Sequence, residues 1–253
     1  MDKKLTAAIL IIGNEILSGR TQDTNLNWIA KKLSDQGIRL VEARVVPDVE
    51  ESIIFAVNEL RKKVTYLFTT GGIGPTHDDI TSVTIAKAFE VQIELNPTAR
   101  NILLEYYKSE SELTPARLRM AHIPVGASLI DNPVSGAPGF QIGNVYVMAG
   151  VPRIMQAMLD GILPGLGSDR PYLSNTVSCN LPESKIAEAL ENIQKKFKTV
   201  EIGSYPHFSV GSIGLSLVLR STEEGSLHEA TQEVVNMVRS FGVEPTSMTV
   251  CTK

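Results

Sequence analysis

The sequence lacks most of the features that would take it outside an ordinary globular fold. Its 253 residues include only two cysteines, Cys179 and Cys251, far apart and in no C-x-x-C pair. That excludes a disulfide framework or a zinc knuckle as the organising device and leads to an expected reduced, cytosolic setting. The formal net charge is −4 and no block of lysine or arginine occurs, which argues against a general nucleic-acid backbone binder. The apolar run Leu5 to Ile12 is too short to cross a bilayer, and chemistry-bearing residues follow it, not a small-residue cleavage site. A cytoplasmic protein with no membrane segment is therefore expected. Two nucleotide signatures are also missing: no Gly-Lys-Ser/Thr closes a Walker loop, and no dinucleotide G-x-G-x-x-G is present.

What is present is an ordinary composition, 43% hydrophobic and 21% charged, in a chain long enough for one large domain or two modest ones. Leu5 to Ile12 has the continuous, β-branched pattern of a strand covered on both faces. It ends in Gly13-Asn14-Glu15-Ile16-Leu17-Ser18-Gly19, a glycine-bounded turn that holds a carboxylate. Asp23 or Thr24 can cap a helix with Leu26, Ile29, Ala30 and Leu33 on one stripe, and Gly37 supplies its left-handed stop. A second strand, Ile38 to Val46, leads to Asp48, which with Glu51 resembles a capping box for a helix presenting Ile53, Ile54, Val57 and Leu60. Val64 to Thr69 is a third strand. Strands separated by helices of this length imply right-handed crossovers and a parallel sheet, whose ligand crevice lies beyond the carboxyl ends of the strands.

At such an end stands the stretch Thr70-Gly71-Gly72-Ile73-Gly74-Pro75-Thr76-His77-Asp78-Asp79-Ile80-Thr81. A strand, a glycine-rich turn and a helix can present backbone N–H groups to an anion. Two readings are open: an anion site, or a plain strand-to-helix turn in which Asp79 or Thr81 caps the next helix. Asp78 and Asp79 would repel a bare phosphate. The pair therefore calls for a divalent cation between carboxylate and phosphate, or for a ligand that donates hydrogen bonds. Glu15 and Asp48 stand at the same strand ends. Further on, Asn96-Pro97 and Thr114-Pro115 read as helix starts, and Arg117 and Arg119 either meet a phosphate or form a solvated face. His122 reads as structural. Ala127 to Ile130 is a short strand, and Asn132 to Phe140 is a segment of small residues that either lines a site or forms a hairpin loop. Val145 to Ala149 is a last buried strand, before Gly150 and a Pro-started helix.

Gly165 to Pro171 reads as a linker. It divides the chain into residues 1–168 and 169–253. The second part follows the order βαββαβ of a split-βαβ unit, with no paired carboxylates or glycine turn. Its polar-aromatic cluster Ser204-Tyr205-Pro206-His207 reads as a loop, and the whole part as a packing or association domain.

The ordered motifs Gly13 to Gly19, Thr21 to Asn25, Thr70 to Thr81, Ser135-Gly136-Ala137-Pro138-Gly139-Phe140 and Met148-Ala149-Gly150-Val151-Pro152 resemble the CinA amino-terminal family. That family lies within the molybdopterin-binding, MoaB/Mog-like superfamily, and similar motifs precede the synthetase domain of eukaryotic FAD synthases. The resemblance implies a doubly wound, mostly parallel α/β domain followed by a smaller α+β domain. It implies metal-dependent hydrolysis of the pyrophosphate of ADP-ribose or FAD, helped by potassium, with magnesium, manganese or cobalt as the divalent ion. In the Mog branch, which adenylates molybdopterin, the loop carries Arg-Asp where this chain has Asp78-Asp79, a departure that favours the pyrophosphatase reading. The expected roles are Asp79 and Asp78 on the metal and Glu15 on the attacking water. Thr70, Gly71, Gly72, Gly74, Pro75 and Thr76 are expected on phosphate, and Asp23 and Asn25 on ribose or base. Ser135, Gly136 and Ala137 are expected to close over the ligand, with Gly150 beside it. Molybdopterin adenylation and a non-catalytic nucleotide or pterin binding module are the competing expectations. Expected partners are a small-molecule nucleotide or pterin and a second copy of the chain, with no nucleic acid and no membrane.

Overall fold

The apolar run near the amino terminus forms β1 (Thr6–Ile12), and its period-two alternation decides the layering of the first unit. Ala8, Leu10 and Ile12 enter one core while Ala7, Ile9 and Ile11 enter another, so the strand is covered on both faces. Each buried Ile or Leu contributes roughly 1.5–3 kcal/mol relative to exposure. The computed structural model describes residues 4–209 and 212–251, the side chains of 208, 209, 212, 213 and 248–251 excepted.

A short α1 (Asn14–Leu17) and α2 (Asn25–Asp35) follow β1, then β2 (Arg39–Val46), α3 (Glu50–Lys63), β3 (Tyr66–Thr70) and α4 (Thr81–Ala88). Next come β4 (Ile93–Leu95), α5 (Pro97–Tyr107), α6 (Pro115–Leu118) and β5 (His122–Pro124), with β4 and β5 forming a separate antiparallel pair. The unit closes with β6 (Ser128–Ile130), β7 (Gly139–Ile142), β8 (Val145–Met148) and α7 (Pro152–Ile162). The main sheet runs β2-β1-β3-β8-β7-β6. Its first four strands are parallel and β7 and β6 are antiparallel additions. One core takes Ile53, Val57 and Leu60 of α3 with Ile85 of α4 and Leu103 of α5; the other takes Ile29 and Leu33 of α2 with Met155, Met158 and Leu159 of α7. The fold is a doubly wound, mostly parallel α/β sheet.

Several local expectations need correction. Asp48 and Glu51 form no capping box: Val49 holds the N-cap position of α3 without a side-chain bond. Asp48 Oδ2 instead accepts from Asn14 N at 2.8 Å, tying the ends of β1 and β2 together. Of the two capping candidates for α2, Thr24 holds the N-cap position without a side-chain bond and Asp23 supplies the bond, accepting from Leu26 N at 2.9 Å, as one of the two expected alternatives. Gly139–Ile142, expected to be partly loop, is a strand paired with both β6 and β8. Asn96 and Thr114 do cap their Pro-started helices, accepting from Ala99 N and Arg117 N.

The chain divides into two compact units, one ending at Asp169 and the next beginning at Arg170. The second contains β9 (Leu173–Cys179), α8 (Glu183–Lys196), β10 (Glu201–Ser209), β11 (Ser212–Ser221), α9 (Glu224–Ser240) and β12 (Ser247–Cys251). Its sheet runs β10-β11-β9-β12, antiparallel throughout, as a split-βαβ unit requires. Val177, Leu215 and Leu217 pack there against Ile186 of α8 and Val234 of α9. Ser204-Tyr205-Pro206-His207 lies within β10 and is not a loop. Burial pushes the Cys179 thiol above its ordinary pKa, so it behaves as a small core residue; the Cys251 side chain falls outside the described residues.

Candidate ligand site at the carboxyl edge of the sheet

Three segments expected at the site converge because their strands are parallel neighbours. β1 ends at Ile12, β3 at Thr70 and β8 at Met148, all at one edge. The backbones beyond them approach closely: a Cβ on Gly150 would lie 3.2 Å from Gly71 Cα, and one on Gly71 would lie 2.1 Å from the Ile12 carbonyl oxygen. The Asn132 segment reaches the same edge, because Phe140 pairs with Val147 in antiparallel register. Gly71 and Gly72 adopt φ of 103° and 68°, a region that favours glycine. Thr81, the first residue of α4, locks the turn by donating from Oγ1 to Gly71 O and from N to Gly72 O.

The loop is therefore more constrained than a free nest. Gly71 N–H donates to Met148 O at 3.1 Å, prolonging the β3–β8 ladder, so it is unavailable to a ligand. Among the described residues no hydrogen bond takes up the N–H groups of Gly72, Ile73 and Gly74. The acids fold back on the turn. Asp79 Oδ2 accepts from Thr76 N at 2.8 Å, and the single Thr76 hydroxyl lies within bonding reach of Asp79 Oδ2 and, at 2.5 Å, of Asp78 Oδ1. One hydroxyl proton serves only one carboxylate at a time. The Thr76 bond lowers the Asp78 pKa. Neither acid caps α4, whose N-cap Ile80 receives no side-chain bond.

Two concavities flank the loop. A small cleft of about 60 Å³ is lined by Glu15, Asp23, Asn25, Thr70 and Gly150. Asn25 Nδ2 donates to Gly150 O at 2.8 Å, which leaves its Oδ1 buried and unpartnered; Thr70 Oγ1 is likewise buried without a partner. On the other flank, a cavity of about 380 Å³ is lined by Gly74, His77, Asp79, Thr84, Arg119 and His122, with Ile73, Ile80 and Ile93. Glu15 and Asp79 thus face different concavities. The Glu15 carboxylate folds over its own turn, within 2.6 Å of where a Gly13 Cβ would stand.

The Ser135 segment is built by Asn132. Its Nδ2 donates to Ser135 Oγ and Ala137 O, and its Oδ1 accepts from Val134 N and Ser135 N. Gly136, at φ 72°, lies against the Tyr106 ring. Ser135, Gly136 and Ala137 therefore form a fixed hairpin loop on β6 and β7. Arg117 is consumed by Glu112 and stacks on Tyr107. Arg119 reaches the glycine loop, donating from Nη1 to Thr76 O at 3.3 Å. The sequence offered Arg119 two roles, and the structure sets it beside the loop; Thr84 carried no signal beyond its place on a helix. Among the described residues no three His, Cys, Asp or Glu side chains converge on a metal position, and no helix is long and apolar enough to cross a membrane.

These features define an α/β domain with a ligand site at the carboxyl edge of a mostly parallel sheet, followed by a split-βαβ unit. The family model described as "Probable molybdopterin binding domain" matches residues 8–168, and "FAD synthase, middle domain" matches residues 171–246. Proteins of Pyrobaculum calidifontis and Pyrobaculum arsenaticum are 32% and 36% identical, over 93% and 92% of this chain and 96% and 95% of their own lengths. A crystal structure of CinA, of unknown function, from Thermoplasma acidophilum is 33% identical with a TM-score of 0.61, covering 64% of this chain and 99% of that one. The chain belongs to the molybdopterin-binding domain family and, within it, to the CinA-like group.

Proposed function

We propose that the chain is a metal-dependent hydrolase that cleaves the pyrophosphate bond of ADP-ribose or a related dinucleotide such as FAD. The observation that carries this reading is the acid pair Asp78–Asp79, folded through Thr76 against the unengaged N–H groups of Gly72, Ile73 and Gly74. Those N–H groups take the oxygens of one phosphate without adding a counter-charge. Asp79, with Asp78, supplies the opposite need. Two adjacent carboxylates, a threonine hydroxyl and substrate phosphates make an all-oxygen donor set, which fits Mg²⁺ or Mn²⁺ ions that keep several waters and not a closed protein cage. When bound, such an ion offsets phosphate charge and makes a water more acidic.

The protein's own contribution is positioning. Thr76, donating from both its N–H and its hydroxyl, holds the carboxylates beside the loop until a ligand competes for them. The hydroxyl's single proton lets one carboxylate be released while the other stays fixed. Arg119 steadies the same turn through Thr76 O. Glu15 stands on the far flank of the loop and is left out of the water-activating step. Asn25 Oδ1 and Thr70 Oγ1 offer hydrogen-bonding groups to the substrate's hydroxyls.

The test is AMP release from ADP-ribose, FAD, NAD and dinucleoside polyphosphates with Mg²⁺, Mn²⁺ or Co²⁺, with and without K⁺. Asp79→Asn keeps an oxygen for Thr76 N but removes the charge. It is expected to lower turnover by about 100-fold or more, the scale of a lost charge-stabilising group, with an unchanged melting temperature. Full activity in that variant removes Asp79 from the metal role. A binding module that does no chemistry is the second reading, favoured by the separation of Glu15 from Asp79. Its signature is nucleotide binding with no turnover of any substrate in the screen.

A further inference from the structure

The larger cavity beside the glycine loop has walls unlike a phosphate cradle. Ile73, Ile80 and Ile93 give it an apolar lining, and Thr84 lies on it fully buried, with an Oγ1 that has no hydrogen-bond partner. Its volume of about 380 Å³ falls within the range of small-molecule pockets. His122 Nδ1 lies 2.9 Å from Leu118 O, and a carbonyl only accepts, so Nδ1 carries the hydrogen and Nε2 is the nitrogen left for a ligand. Arg119 also lines the cavity, and a guanidinium stacks on planar rings. Glu50, His77, Asp79 and Ser82 complete the lining, so beside its apolar walls the cavity offers hydroxyls, imidazoles, a planar cation and carboxylates that can accept from an exocyclic amine, the complement of a flat, amino-bearing nitrogen heterocycle. Gly74, which belongs to both the loop and this cavity, joins it to the unengaged N–H groups.

We propose that this cavity is the base subsite, taking the adenine ring of the AMP half that ADP-ribose and FAD share. The proposal rests on the nucleotide reading of the loop and adds where the base lies: on the Thr84–His122 flank, not in the Asn25–Thr70 cleft. At about 60 Å³ that cleft holds no more than a couple of waters or a hydroxyl-bearing tip. The ring lies between the isoleucines and Arg119, with Thr84 Oγ1 and His122 Nε2 on its edge, and the first phosphate then falls at Gly72–Gly74.

The experiment compares AMP with ribose 5-phosphate, which lacks the base, by titration calorimetry on the full chain. Thr84→Val removes the hydroxyl at constant shape, and Ile93→Trp fills the cavity; melting temperatures establish that each variant folds. Thr84→Val is expected to weaken AMP about three- to tenfold, the scale of one hydrogen bond, and Ile93→Trp more than about tenfold. Ribose 5-phosphate binding should stay within about twofold in both. Unchanged AMP affinity in folded Thr84→Val overturns the base subsite, whatever happens to Ile93→Trp, and leaves the hydrolase reading standing. Failure of the unaltered protein to bind AMP with Mg²⁺ present overturns the base subsite and leaves hydrolysis to be decided by the AMP-release screen. AMP binding that follows these variants without any pyrophosphate turnover supports the subsite and sinks hydrolysis alone.

Discussion

At the scale of single residues, the glycine loop is decided by atoms that leave no room. A Cβ on Gly72 would meet Thr81 Oγ1 at 2.2 Å, and the residue's φ of 68° is one that alanine adopts only at a cost. Gly72→Ala is expected to destabilise the first unit by about 1–3 kcal/mol and to displace Thr81 from Gly71 O. Urea unfolding measures the first effect and nucleotide binding the second; a change below about 0.5 kcal/mol would mean that the turn relaxes freely. These glycines and the acid pair were legible in the sequence because their chemistry is local. Arg119 was legible only as one of two alternatives, since 43 residues separate it from the carbonyl it reaches. The buried Thr84 hydroxyl was not legible at all: a threonine on a helix gives no sign that its partner is missing. Gly71 shows the opposite failure. Its sequence context suggests a free N–H, but the parallel pairing of β3 with β8 consumes it.

At the scale of elements, the parallel strands and their helices could be read because apolar period and capping agree, as in β1 and α2. The misreadings fall where an element is short or contains a breaker. Gly139–Ile142 offers four residues and a glycine, and pairing on both sides makes it a strand. Pro206 made the second half of β10 look like a loop, but β10 is an edge strand, where a missing N–H is tolerated. The Asn132 segment was ambiguous between loop and site, and one side chain resolves its shape. Asn132 is only 4% exposed and makes four bonds within the segment. Asn132→Ala leaves the N–H groups of Val134 and Ser135 and the Ala137 carbonyl without it. A loss of about 2–4 kcal/mol is expected, the scale of several buried groups left unsatisfied. Hydrogen exchange should quicken at Val134 and Ser135 first. Uniform exchange across β6 and β7 with no loss of stability would show that the loop does not depend on this amide.

At the scale of the whole chain, the two units have separate cores. The clusters around β1 and β3 draw their residues from the chain up to and including Leu166, and the cluster around Val177 and Leu217 draws its own from Leu173 onward. Both concavities at the glycine loop are lined entirely from within the first unit. A protein ending at Asp169 is therefore expected to unfold in one cooperative transition and to bind AMP within about twofold of the full chain, because every lining residue is retained. Calorimetry measures both. Loss of AMP affinity in a truncated protein that still melts cooperatively would mean that the second unit supplies part of the ligand's surroundings. Loss of the cooperative transition itself would mean that the first core is not sufficient, despite the burial of both faces of β1.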